Sequence, residues 1–161
     1  MKIAKLTLTH KSINEVIQLI KETFLEFVAL DYDESGIKNF FKFAEDEDLL
    51  KQLVFYAALR NDKIIGILAV DNKVNHICLF FVDKDLQNTG IGTALFKKFL
   101  NEAMPKAVTV NSSPFAVKVY EKLGFTATGR FLMELFIFPC CIAVNSCSIQ
   151  SKLFLVHFMM R

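Results

Sequence analysis

The sequence predicts an α/β domain in which a mixed, largely antiparallel sheet is flanked by helices. Three observations lead there. Three β-rich runs follow one another between residues 54 and 82, separated only by Asn61-Asp62 and Asp71-Asn72-Lys73; turns that short join antiparallel neighbours. Two helical periodicities precede these runs and two follow, so helices are available to cover the sheet. Of the 161 residues, 53% are hydrophobic and 17 are Phe, enough to fill one core and too apolar for a disordered chain.

Taken in order, residues 2–9 alternate, with Ile3, Leu6 and Leu8 among polar neighbours, and predict a first strand. Ser12-Ile13-Asn14-Glu15 has the capping-box pattern. The Ser12 hydroxyl would accept the Glu15 N–H while the Glu15 carboxylate reaches back. Ile13, Val16, Ile17, Ile20, Phe24, Phe27 and Val28 then recur at helical spacing and predict one buried face. The polar stretch 31–36 ends that helix, and a second helix is expected over about 37–50, rich in Phe on one side. Strands are expected over 54–60, 63–70 and 75–82. After Gly92 the pattern becomes helical, with Ile91, Ala94, Leu95, Phe99 and Ala103 on one face. A short β run at 107–111 follows. Ser113-Pro114 reads as a helix cap with proline at the first helical position. Ala116, Val119, Tyr120 and Leu123 line the helix, and Gly124 suits its C-terminal cap. The fourth and fifth strands, joined through a helix, are expected to be parallel.

Composition also excludes functions. A net charge of +2 without any Lys/Arg block gives no support for nucleic acid as a partner. Cys78, Cys140, Cys141 and Cys147 form no Cys-x-x-Cys pair and no His cluster stands near them, so no metal site is expected. Met1-Lys2-Ile3-Ala4-Lys5 is not followed by the apolar core of a signal peptide. The longest uncharged apolar run, 135–151, is 17 residues and is interrupted by Pro139 and Asn145, short for a membrane span. A cytoplasmic protein with reduced thiols and no membrane association is expected.

The segment that carries chemistry is Gln87-Asn88-Thr89-Gly90-Ile91-Gly92-Thr93, between a strand ending at Val82 and the start of a helix. Small residues there let backbone N–H groups approach a phosphate, and the helix dipole favours the anion. The Lys-Ser/Thr of a Walker loop is missing, and no third glycine completes a dinucleotide fingerprint. On the glycines alone, the other reading is a helix entry with glycines for tight packing.

A strand ending in Val, a short gap and Gln/Arg-x-x-Gly-x-Gly/Ala opening a helix resembles the central motif of the GNAT acetyltransferase superfamily, and Val82 with residues 87–92 matches it in identity and spacing. A second segment resembles the family's last helix: Ala116, Tyr120, Gly124 and Phe125 stand at Ala-x-x-x-Tyr-x-x-x-Gly-Phe spacing after Asn111-Ser112-Ser113-Pro114. The resemblance spans residues 1–129, the expected acyltransferase core. It implies a GNAT-type sheet splayed between strands four and five after Val82, with acetyl-CoA as cosubstrate and no metal. It also implies that main-chain groups of Phe81 and Val82 bond the pantetheine arm, with Asn111 across the gap. The N–H groups of Gln87, Asn88, Thr89, Gly90, Ile91, Gly92 and Thr93 would take the pyrophosphate. An amine acceptor, a small molecule or a peptide, would attack the thioester directly.

The departing thiolate needs a proton, and Tyr120 is the implied acid; a core aromatic at helical spacing is the alternative. His76 stands six residues before Val82, where histone-modifying relatives carry a catalytic Glu, and is a candidate base. It also reads as a strand histidine with a structural hydrogen bond, with Asp71, Asp83 or a water relay as other routes for the proton. Asp31, Asp33, Glu34 and the run 45–48 would favour a cationic acceptor, or simply form a solvated face.

From Arg130 the resemblance fades. Residues 130–161 include 21 apolar among 32, with no glycine after Gly129. They are expected to form terminal strands completing the same domain, with surplus apolar surface covered in a homodimer. An enzyme is the leading reading. The other class is a non-catalytic acyl-CoA-binding or interaction module.

Overall fold

A computed structural model describes residues 1–113, 116–128 and 132–136. Among the described residues seven strands form one sheet: β1 Lys2–Leu6, β2 Val54–Arg60, β3 Lys63–Asp71, β4 His76–Val82, β5 Ala107–Asn111, β6 Thr126–Ala127 and β7 Leu132–Phe136. Their spatial order is β1-β2-β3-β4-β5-β7-β6. Every pairing is antiparallel except β4 with β5, as the intervening crossover requires. The β2–β3 turn has φ of 50° at Asn61 and 59° at Asp62, the two-residue left-handed turn whose twist matches its strands.

Five α-helices are found among the described residues: α1 His10–Phe27, α2 Glu34–Ala44, α3 Glu47–Leu50, α4 Ile91–Ala103 and α5 Val117–Lys122. One core lies between the sheet and α1–α3, where Val16, Leu19, Ile20, Phe43, Leu50, Phe55, Ile67 and Leu79 are buried. The other lies under α4 and α5, where Leu68, Ile77, Ile91, Leu95, Phe99, Val110 and Tyr120 meet. Phe24 of α1 stacks on Phe40 of α2 with centroids 3.8 Å apart, and Phe40 stands 6.2 Å from Phe81 of β4. Each large side chain buried this way contributes about 1.5–3 kcal/mol.

Local chemistry corrected several sequence expectations. The capping box belongs to Thr9 and Ser12: the Thr9 N–H donates to Ser12 Oγ at 2.7 Å and the Ser12 N–H donates to Thr9 Oγ1 at 3.3 Å. Thr9 is extended, so the helix begins at His10 and Glu15 sits a turn inside it. The helix expected over 37–50 is two helices. Asp46 leaves helical geometry and its carboxylate accepts the Leu49 N–H at 3.0 Å, a side-chain bond that competes with helix continuation. On α4, Phe96 is buried and Ala103 exposed, because a row at four-residue spacing rotates steadily around a helix with 3.6 residues per turn. Val119 is 47% exposed. Phe27 and Val28, expected in the core, are half-buried.

The departure that matters for function is the point where the sheet opens. The β4–β5 ladder holds only His76 with Thr109 and Ile77 with Val110. The strands therefore part after Ile77 and not after Val82. At the same place the β3–β4 register shifts, with Ile77 opposite Val70 and Leu79 opposite Ala69, leaving Cys78 as an extra residue. That bulge bends β4 and resets its alternation. Phe80 and Val82 then pack on the α4 side, and Leu79 and Phe81 on the α1 side.

The expected proline cap, Pro139, Cys140, Cys141, Cys147 and the proposed subunit contact lie outside the described residues. The described part of α5 opens at Val117, and Gly124 follows its end at φ 95°. Among the described residues no helix is long and apolar enough to cross a membrane.

Candidate active site

Where β4 loses its neighbour, a cavity of about 220 Å³ opens beside the α4 N-terminus. Phe80, Phe81 and Val82 supply its floor, and Gln87, Asn88, Gly90, Ile91, Gly92 and Thr93 one end. Tyr120 and Lys122 of α5 close one side; Thr23, Phe27 and Val28 close the side toward α1. The cavity is thus reached from both faces of the sheet.

The loop into α4 is shaped by its side chains. Gln87 Nε2 donates to the Val82 carbonyl at 2.6 Å, and Thr89 Oγ1 donates to the Leu86 carbonyl at 2.6 Å. Asn88 at φ 59° and Gly90 at φ 85° are both left-handed, a pattern that turns successive N–H groups toward one concavity. Gly90 is the N-cap of α4, which has no side-chain cap bond and no acid in its first turn. The N–H groups and dipole of a 13-residue helix are therefore available to an anion. A Cβ at Gly92 would stand 3.4 Å from the Phe80 ring, so the backbone is bare where a ligand must come close. Lys122, which no sequence pattern singled out, adds a positive charge at the cavity wall. These features fit a coenzyme A pyrophosphate and its pantetheine arm.

Tyr120 is 7% exposed. Its ring lies 6.2 Å from Phe80 and meets Phe125 edge-on at 5.4 Å. Burial raises its phenol above the ordinary value of 10, so at neutral pH it holds the proton that an acid must give.

His76 is not among the lining residues. It begins β4, roughly 20 Å along the strand from Val82, and is 1% exposed. Its Nδ1 and Thr109 Oγ1 are 2.7 Å apart, while Nε2 has no partner among the described residues. Burial lowers its pKa from 6.5 to about 4, against an opposing pull from Asp71. Asp71 is itself buried and accepts the Lys73 N–H; Asp83 accepts the Asp85 N–H. Asn111 ends β5 and, like Thr89, does not line the cavity. Asp33 and Asp46 cap helices, and Glu45 and Glu47 pair with Lys21 and Lys51 at 2.6 and 3.1 Å. Among the described residues none of these acids reaches the cavity.

A parallel β4–β5 pair opened beside an uncapped helix N-terminus agrees with the splayed sheet that the sequence resemblance implies. The chain belongs to the GNAT family: the acetyltransferase (GNAT) domain matches residues 28–134. It is 30% identical over 92 residues to the peptidyl-lysine N-acetyltransferase YjaB of Escherichia coli strain K12, covering 53% of this chain and 61% of that protein. The chain therefore spans about three-fifths of that relative's length. Among solved structures, a GCN5-related N-acetyltransferase of Rhodopseudomonas palustris superposes with a TM-score of 0.74 at 17% identity, over 84% of this chain and 95% of the other. The PaiA N-acetyltransferase of Thermoplasma acidophilum, in complex with coenzyme A, gives 0.69 at 18% identity, over 84% and 99%.

Proposed function

We propose that this protein moves an acetyl group from acetyl-CoA to the nitrogen of an amine acceptor by direct attack. The observation that carries this reading is the single cavity joining the α4 N-terminus, the unpaired part of β4 and the Tyr120 phenol. The N–H groups of residues 87–93, with Lys122 nearby, would hold the pyrophosphate. The main chain of Phe81 and Val82 would bond the pantetheine arm and polarise the thioester carbonyl, with Asn111 across the gap. The bound cosubstrate supplies an activated acetyl thioester. Tyr120 gives its proton to the departing sulfur, and water returns to Tyr120 the proton shed by the attacking nitrogen. His76, away from the cavity, is better suited to holding β4 on β5 through Thr109 than to taking that proton. Placing both partners in one cleft supplies the remaining acceleration.

The E. coli relative, named for peptidyl-lysine, supports an amine acceptor of that kind. The reading includes a cytoplasmic setting. The test is to incubate acetyl-CoA with blocked lysine peptides and small amines and to record free thiol. Thiol release that depends on one amine is expected. Tight CoA binding with no turnover on any amine would replace the enzyme with a binding module.

A further inference from the structure

A second cavity lies apart from the transfer site, at the other end of α4. It measures about 420 Å³, and Lys5, Tyr56, Asn72, Asn75, Phe99 and Glu102 are among its walls. Lys5 stands directly opposite Tyr56 in the β1–β2 register. Both side chains therefore leave the same face of the sheet, the one that α4 covers. Glu102 belongs to the last turn of α4. Asn72 and Asn75 come from the β3–β4 turn, where the Asn75 carbonyl accepts the Thr109 N–H at 3.1 Å and fixes that end.

The polar groups of this cavity are left without protein partners. The Lys5, Asn72 and Asn75 side chains make no hydrogen bond or ion pair among the described residues. Tyr56 is 3% exposed, and its ring meets Phe99 edge-on at 5.9 Å. Its Oη has no hydrogen-bond partner among the described residues and is not sealed, since the sealed, unpartnered side-chain atoms there are Thr23 Oγ1 and His76 Nε2. Burial raises its phenol above the ordinary value of 10, and the Glu102 carboxylate adds to the rise. That influence of Glu102, on the same wall, puts Oη toward the cavity. At neutral pH the phenol keeps its proton and is a hydrogen-bond donor.

Charge defines the occupant. Lys5 and Glu102 line one cavity without pairing with each other: among the described residues Lys5 has no ion pair, and Glu102 pairs with Lys98 at 2.7 Å. The C-terminal end of α4 adds a partial negative charge on the Glu102 side. A lone anion would meet Glu102 and that helix end, and a lone cation would meet Lys5. A small molecule carrying both charges satisfies both walls. We propose that this cavity is a second binding site, for a free, small α-amino acid. Its carboxylate accepts from Lys5 Nζ and Tyr56 Oη, its ammonium donates to Glu102, and the Asn72 and Asn75 amides close the site around the side chain. No acyl transfer is needed here, so the site stands or falls separately from the transfer reading.

Glycine and L-serine, titrated into the full-length protein and followed by calorimetry and nuclear magnetic resonance shifts, should bind. Acetate and ethylammonium carry one of their charges each and should bind at least about tenfold more weakly, the worth of one charge-assisted hydrogen bond. Lys5→Met, Tyr56→Phe and Glu102→Gln each remove one partner and should weaken both amino acids by a similar factor. Their circular dichroism should match the wild type, because Lys5 and Glu102 are exposed and phenylalanine keeps the contact with Phe99. Equal affinity in the wild type and all three variants overturns the inference, since the amino acid would then sit elsewhere. Acetate or ethylammonium binding as tightly as glycine overturns the need for both charges. No binding of either amino acid at millimolar concentration leaves the cavity a hydrated cleft and overturns the inference outright.

Discussion

Replacing His76 separates its electrostatic cost from the rest of the acid sensitivity of the fold. Its imidazole is 1% exposed and its pKa lies near 4, below the ordinary 6.5. Desolvation is the larger cause, and Asp71 opposes it. Between those two values the unfolded chain takes up a proton that the folded chain refuses. Stability is therefore complete above pH 6.5, falls as the pH drops, and levels off below about 4. At about 1.4 kcal/mol per pH unit the whole interval costs about 3 kcal/mol, of which about 2 kcal/mol is lost by pH 5. For a chain of this size that is about 4–8 °C in melting temperature. Calorimetric scans of wild type and His76→Gln at pH 7, 6 and 5 give the assay. Other titrating groups are common to both proteins and cancel in the difference. Wild type should lose about 4–8 °C more than His76→Gln between pH 7 and pH 5. Equal losses would refute the buried, neutral ring.

Other expectations test the site directly. Tyr120→Phe keeps the ring contacts with Phe80 and Phe125 but removes the proton donor, so kcat should fall by ~10²–10⁴ with acetyl-CoA affinity nearly intact; an equal kcat excludes Tyr120 as the acid. At Gly92 a first carbon would meet the Phe80 ring at 3.4 Å, so alanine fits while the branches of Gly92→Val should crowd the cavity and weaken CoA binding more than stability. Unchanged affinity by calorimetry in a folded protein would contradict the phosphate site. At Gly66 a Cβ would stand 3.1 Å from Ile91 Cγ2, 3.2 Å from Leu95 Cδ1 and 3.4 Å from the Phe81 carbonyl. Gly66→Ala should wedge α4 from the sheet and cost about 1–3 kcal/mol, read from a shifted urea midpoint; an unmoved midpoint would show that α4 yields freely. If residues 131–160 cover one another across a two-fold axis, light scattering should give twice the 18.3 kDa chain mass, and a soluble monomer at micromolar concentration would end that proposal.

The strands from 54 to 82 were legible because alternation and two short turns are local signals, and β2 and the Asn61-Asp62 turn fall where the pattern places them. The loop 87–93 was legible because glycine at a helix start is written in single residues. Helix boundaries were less so: Thr9 and Ser12 compete with Ser12 and Glu15 for the same cap, and Asp46 cuts a continuous apolar stripe, both decided by short side-chain bonds that periodicity does not register. Tyr120 was visible as a spacing, yet the rise in its pKa comes from how the chain buries it. His76 shows the limit most clearly, since its distance from Val82 in sequence was known, but the bulge at Cys78 and the end of pairing at Ile77 decide which cavity it misses. By itself the sequence determined the element order and the glycine loop into α4, because both depend on neighbours a few residues apart. The tertiary structure alone decided that β4 leaves β5 so early and that His76 is buried away from the cavity, because burial and register arise only where distant segments meet.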